Sequence, residues 1–137
     1  MAEDAYAKPL PEPGRDTRPW WDALSEGRLV IQQCAACKTL RHYPRPVCPA
    51  CYSMEVEWRQ VSGRGTVHSW TVAHHPFHPG FKTELPYVLA TVDLEEGVRM
   101  IAQLHGVALD AVSVGLPVQV DFERATEELT LPVFRKR

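Results

Sequence analysis

Four cysteines, all that the chain has, form two Cys-x-x-Cys pairs, Cys34-Ala-Ala-Cys37 and Cys48-Pro-Ala-Cys51, with residues 38–47 between them. A Cys-x-x-Cys turn points both of its sulfurs at one spot. Two such turns face to face offer four thiolates in the tetrahedral array that Zn²⁺ takes, with Zn–S near ~2.3 Å. A unit this small has no adequate hydrophobic core, so the metal supplies its folding free energy. The spacing therefore predicts a structural zinc site with Cys34, Cys37, Cys48 and Cys51 as ligands. Iron fits the same sulfurs in a rubredoxin-like site, but nothing else in the chain points to electron transfer. Two disulfides would suit a secreted protein. The start Met-Ala-Glu-Asp lacks the apolar run of a signal peptide, and metal-held thiolates suit a reducing cytoplasm, the expected location. A redox role for Cys48 and Cys51 leaves the first pair unexplained and lacks a βαβ setting.

The 137 residues fit one domain or two very small ones. No apolar run is long enough to cross a bilayer. Net charge is −2, without the basic balance of a general nucleic-acid binder, apart from the tail Arg135-Lys136-Arg137. Residues 1–16 carry Pro9, Pro11, Pro13 and Gly14 with little apolar content, and read as a flexible arm without its own core. Thr17 to Gly27 reads as a short helix: Asp16 or Thr17 can cap it, Pro19 suits its first turn and Gly27 suits the left-handed position after its end. Neighbouring helical residues are ~100° apart. Trp20 and Trp21 therefore cannot both face the core fully, and one of them is a candidate partner contact. Arg28 to Gln33 and Thr39 to Tyr43 read as strands of the ribbon, so helix plus ribbon occupy 17–54. Lys38, Arg41 and Arg45 lie beside the ribbon, as solvated cations or as an anion contact.

From Glu55 the pattern turns to β, and 55–137 reads as a second unit. Strands are expected over Val56–Ser62, Thr66–His74, Tyr87–Leu94, Val98–Leu104, Val118–Glu123 and Leu129–Val133. Tyr87–Leu94 is nearly continuously apolar, which predicts burial on both sides. Between Gly106 and Gly115 there is room for one turn of helix. Short strands at regular intervals, with a longer connection after Thr66–His74, fit a five-stranded OB-type barrel; a small sandwich fits too.

Several motifs then occur in a familiar order: Trp20-Trp21, Gly27-Arg28-Leu29, the paired cysteine turns, Gly63-Arg64-Gly65-Thr66-Val67, Pro86-Tyr87-Val88, Gly115-Leu116-Pro117-Val118 and Leu131-Pro132-Val133-Phe134. From Thr17 to Phe134 the chain resembles a family of small bacterial and archaeal proteins with an N-terminal helix, a rubredoxin-like zinc ribbon and a C-terminal OB fold. These were once described as nucleic-acid-binding-like domains of unknown function. The resemblance implies an accessory protein of acyl-CoA metabolism. It would be the partner of a thiolase-like enzyme, a thiolase or a lipid-transfer-protein-like aldolase of steroid side-chain degradation, and sometimes of a MaoC-like hydratase. It further implies that the partner supplies catalysis, while this chain supports assembly and substrate or CoA binding.

The loop His74-His75-Pro76-Phe77-His78-Pro79-Gly80-Phe81 concentrates histidines, but its prolines disfavour a helix that would align His74 with His78. Phe77 and Phe81, large apolar groups in a connection, are further candidate partner contacts. Ser69, Asp93 and His105 are not placed by spacing into a catalytic triad, and no catalytic residues are expected. The alternative function, single-strand nucleic-acid binding on an OB barrel, would use Trp70, Tyr87 and Phe122 as stacking platforms. The many carboxylates of the same segment argue against it.

Overall fold

The computed structural model describes residues 6–137. Helix α1 spans Arg18–Ser25. Trp20, Ala23 and Leu24 are its buried residues, an i, i+3, i+4 stripe that lies on the following strand. Trp21, one position round, is half-buried and meets Trp20 edge-on with ring centroids 4.6 Å apart. Gly27 has φ +76°. The amides of Gly27 and Arg28 reach back to the carbonyls of Leu24 and Ala23 at 3.0 and 2.9 Å, the Schellman closure that glycine permits. The expected side-chain cap is absent: Thr17 Oγ1 instead accepts from the Gly14 amide at 2.9 Å.

Strands β1 (Leu29–Cys34), β2 (Leu40–Arg41) and β3 (Val56–Val61) form one antiparallel sheet in the order β2-β1-β3. The stretch Val56–Ser62, expected with the barrel, thus belongs to the ribbon: Leu29 faces Val61 and Cys34 faces Val56. Alternation reveals a half-buried strand but not its sheet, and β1 needed a second neighbour. Strands β4 (Arg64–Ala73), β5 (Tyr87–Leu94), β6 (Arg99–His105), β7 (Pro117–Arg124) and β8 (Thr130–Lys136) close a barrel in the order β4-β5-β6-β8-β7. β6 and β8 run parallel and the other neighbours antiparallel, the Greek-key closure of an OB fold. The single helical turn expected after Gly106 is the 3₁₀ turn Leu109–Ala111. A second 3₁₀ turn, Pro79–Glu84, was not anticipated; proline fits its first position, where no amide is needed.

The core runs unbroken from Leu24 and Ile31 under α1 to Val92, Met100, Val118 and Phe134 in the barrel. Gly63-Arg64-Gly65 makes the joint between the two sheets. Gly63 has φ +79°, and a Cβ there would strike Val120; a Cβ on Gly65 would strike the Asp93 carbonyl. Tyr43 crosses the same joint from the ribbon side and accepts the Ile101 amide at 3.2 Å. β5 is not buried on both sides as its apolar run suggested. Its side chains alternate, Val88, Ala90, Val92 and Leu94 inward, with Leu89 exposed on the outer face.

Of the stretch 1–16, residues 1–5 lie outside the described residues. The rest runs over the barrel rather than forming a core of its own. A Cβ on Gly80 would fall on the Ala7 carbonyl, and Lys8 pairs with Glu84 above the Phe81 ring, 5.5 Å from its centroid. Among the described residues, no helix is long and apolar enough to cross a membrane.

Candidate metal centre and adjoining groove

The two cysteine turns repeat one geometry. Cys34 N–H bonds Thr39 O and Cys48 N–H bonds Ser53 O, each at 2.9 Å; Lys38 N–H bonds Cys34 O and Tyr52 N–H bonds Cys48 O, also at 2.9 Å. Lys38 and Tyr52, each just after the second cysteine of its pair, have φ of 67° and 66°. This left-handed residue turns the chain so that both sulfurs face inward. Backbone amides of Cys37 and Ala50 point at the sulfurs of Cys34 and Cys48, both at 3.4 Å.

All four Sγ atoms lie within 4.8 Å of one another. A tetrahedron with arms of ~2.3 Å has edges of ~3.8 Å. The separations Cys34–Cys51 and Cys37–Cys48, 3.6 and 3.7 Å, match that edge, so the donor set fits zinc. Metal uptake requires thiolates. The Thr39 hydroxyl, 3.1 Å from Cys37 Sγ, together with the Thr39 backbone holds the Cys37 thiol down to about 6. A zinc held by all four sulfurs would have no open position, which is the mark of a structural site.

The cations beside the ribbon divide by environment. Lys38 pairs with Glu57 at 2.8 Å. Arg41, expected at the surface, is buried: its Nε donates to Gln32 Oε1 at 2.6 Å and its Nη2 to Arg45 O at 3.1 Å. The same Gln32 oxygen accepts the Arg45 amide at 2.7 Å. One buried glutamine, which no sequence signal singled out, thus clamps the 41–45 segment that carries His42 and Tyr43. His42 lies between Trp20 and Tyr43, with ring centroids 5.4 and 4.0 Å away, and neither ring nitrogen has a hydrogen-bond partner.

Burial lowers the His42 pKa to about 4. In the unfolded chain it titrates near ~6.5. Above that value both states are neutral and the residue contributes no pH dependence. As pH falls below it, the unfolded chain takes up a proton that the folded chain refuses, and stability drops until about pH 4. His42→Phe keeps the ring stack and removes this effect. Relative to wild type it should gain about 2 kcal/mol between pH 7.5 and pH 5, read from urea midpoints at both values. Equal pH dependence in the two proteins would sink the claim.

Next to the ribbon lies an apolar groove of about 480 Å³. Trp20 and Trp21 of α1, Tyr43 of the ribbon, Phe81, and Ile101 and Pro132 of the barrel line it, and the arm at Pro9 and Pro11 forms its remaining wall. Of the candidate partner contacts, Trp20 is buried in packing, Trp21 and Phe81 face this groove, and Phe77 stands 80% exposed.

The histidines of the 74–81 loop do not converge. His78 Nδ1 accepts the Gly80 amide at 3.0 Å and caps the 3₁₀ turn, His75 packs on Phe77, and His74 is exposed. Ser69, Asp93 and His105 are not brought together either: Asp93 binds Arg99 at 2.6 Å and His105 binds Gln103 at 2.8 Å. Of the stacking candidates, Tyr87 is stacked on Phe81, 5.2 Å between centroids, Phe122 packs on the core, and Trp70 is partly exposed.

Two family models match. The ChsH2 rubredoxin-like zinc ribbon domain covers residues 21–57 and the ChsH2 C-terminal OB-fold domain covers 58–123. A probable enoyl-CoA hydratase alpha subunit of Thermomonospora curvata is 51% identical over 93% of this chain and 40% of its own length. The 3-oxo-4,17-pregnadiene-20-carboxyl-CoA hydratase alpha subunit of Mycobacterium tuberculosis is 40% identical over 87% of this chain and 37% of its own. The chain thus spans about two-fifths of the length of these curated relatives. A solved chain of an Ltp2-ChsH2(DUF35) aldolase superposes with TM-score 0.85 at 50% identity, covering 93% of this chain and 98% of that one. With its ribbon and barrel both matched, the chain belongs to the ChsH2 family of zinc-ribbon/OB-fold proteins.

Proposed function

We propose that the chain is a non-catalytic accessory subunit of a thiolase-like or lipid-transfer-protein-like aldolase acting on CoA thioesters. The partner supplies the reacting groups. The four cysteines hold a structural zinc, and the ribbon so fastened presents surfaces to the partner and to the substrate. The observation that carries this reading is the likeness, over nearly the full length of both chains, to the solved chain of an aldolase whose description joins two proteins. The hydratase names of the two longer relatives support a MaoC-like hydratase as a further member of the assembly, working in the cytoplasm.

The surface agrees with an incomplete assembly. Phe77, Tyr52 and Met54 are 80%, 76% and 66% exposed, more large apolar area than an isolated chain needs. Phe77, at the tip of its loop, is the contact we assign to the partner. Nucleic-acid binding is disfavoured because cations of the barrel are paired: Arg64 with Glu95, Arg99 with Asp93 and Arg135 with Asp121.

Coexpression with a thiolase-like chain encoded beside it should yield a stable complex. Phe77→Arg should lower the recovered complex at least tenfold, as a lost interface anchor does, with an unchanged thermal midpoint for the small chain. If no thiolase-like chain copurifies, and single-stranded DNA binds with a steep salt dependence, the nucleic-acid reading replaces this one.

A further inference from the structure

We infer that β3 is a self-complementary docking edge, along which a second copy of this chain pairs to give a two-fold dimer through the ribbon sheet. A sheet edge can add a strand because every second residue of an edge strand turns its amide and carbonyl away from its neighbour. The barrel is closed and offers no edge. In the ribbon sheet β2 ends one side, but it has two residues only, Leu40–Arg41. β3 ends the other side. It pairs with β1 residue for residue, from Cys34↔Val56 to Leu29↔Val61, without a register shift. No strand among the described residues lies along its outer edge. Val56–Val61 also lacks the proline, glycine or bulge that commonly blunts an edge.

The order of side chains along β3 selects the occupant. In an isologous antiparallel pair, a two-fold axis at one residue sets its predecessor opposite its successor. With the axis at Trp58, Glu57 of each copy falls opposite Arg59 of the other, twice by symmetry, and Trp58 falls opposite itself on the other face. Unlike charges and aromatic rings set directly opposite are favourable cross-strand pairs. An axis at Glu57 or at Arg59 would set like charge against like, which is destabilising. The charges that deter foreign strands from this edge thus favour a second copy in one register. Arg59 is exposed. Glu57 gives its Oε1 to Lys38 at 2.8 Å, which leaves Oε2 to accept from a guanidinium. Trp58 is half-buried, packed in part on the core. Met54, 66% exposed, continues the line of β3 and in this register falls opposite Ser62 of the second copy, which adds apolar area to the contact.

Each of these pairs is small by itself, so the dimer is reversible and forms as concentration rises. It joins two three-stranded sheets into one, in the order β2-β1-β3-β3-β1-β2. Phe77, the contact assigned to the thiolase-like chain, belongs to the barrel unit and not to this edge. Self-pairing is therefore measured on the small chain alone.

Sedimentation velocity of the zinc-loaded full chain, over a wide range of concentration, should show monomer passing into dimer. Glu57→Arg and Arg59→Glu each set like charge against like in both pairs. Each should raise the dimer dissociation constant at least about tenfold, with zinc content and thermal midpoint unchanged. An equimolar mixture of the two variants restores both unlike pairs and should dimerise to within about threefold of wild type. The double variant Glu57→Arg/Arg59→Glu, which exchanges the two charges within one chain, should do the same. Wild type that stays monomeric throughout overturns the inference. So does dimerisation that neither single variant weakens, or a loss that the mixture fails to recover. If wild type is monomeric and Arg59→Glu instead abolishes copurification of the thiolase-like chain, the edge belongs to that partner and self-pairing is excluded.

Discussion

Cys34→Ala should yield protein without stoichiometric zinc and without a folded ribbon. Cys34 is fully buried, closes β1 and lies 3.6 Å from Cys51. Its loss leaves three ligands and an open position. Structural zinc contributes on the order of 10–16 kcal/mol to folding in small sites, as much as the whole stability of a typical domain, roughly 5–15 kcal/mol. No hydrophobic reserve within 34–51 can offset that, because Cys34 and Cys48 are among the few buried side chains there. The loss should also reach the barrel, since α1 and β1 share its core. Elemental analysis, far-UV circular dichroism and thermal melting read all three effects, and a strong chelator should reproduce them in wild type. Wild-type protein that melts at the same temperature with and without metal would remove the argument.

The second large effect is expected at Phe134. It is completely buried, sits opposite Leu104 across the parallel seam and opposite Val120 across the antiparallel one. No other strand pair closes the barrel there. Phe134→Ala leaves a cavity bounded by strands that cannot collapse without breaking one of the two seams, and should cost about 3–5 kcal/mol. Urea unfolding monitored at the tryptophans would show the midpoint fall accordingly. The zinc content should be unchanged, which separates this failure from that of the cysteine variant. A loss below about 1 kcal/mol would mean that the barrel tolerates an open seam.

The metal site was legible because its determinants are local. Two three-residue spacings and the turns they impose need nothing from the rest of the chain. The helix was legible for a similar reason: Asp16 or Thr17, Pro19 and Gly27 bracket it, whereas its buried stripe of Trp20, Ala23 and Leu24 came from the structure. The strands were legible as strands, but their partners were not. Val56–Val61 alternates as a barrel strand would, and only the pairing with Leu29–Cys34 assigns it to the ribbon. The apolar run of Tyr87–Leu94 suggested two covered faces, whereas Leu89 and Ile101 stand on an outer face that this chain leaves open. The groove was out of reach of any pattern, since its walls come from residues as distant as Pro9 and Pro132. Gln32 and Arg41 escaped too: polar residues in a strand read as solvent-facing, and here they bury one another.

The hydrogen bond from the Ile101 amide to Tyr43 ties the barrel's outer face to a segment that the ribbon holds in place. Tyr43 lies between the two cysteine turns, in the segment that Gln32 clamps through Arg41 and the Arg45 amide. The groove and the metal are therefore one variable rather than two. A cell short of zinc would not make a weaker version of this protein; it would make fewer competent copies, so the supply of a trace metal would set how many chains carry a formed groove.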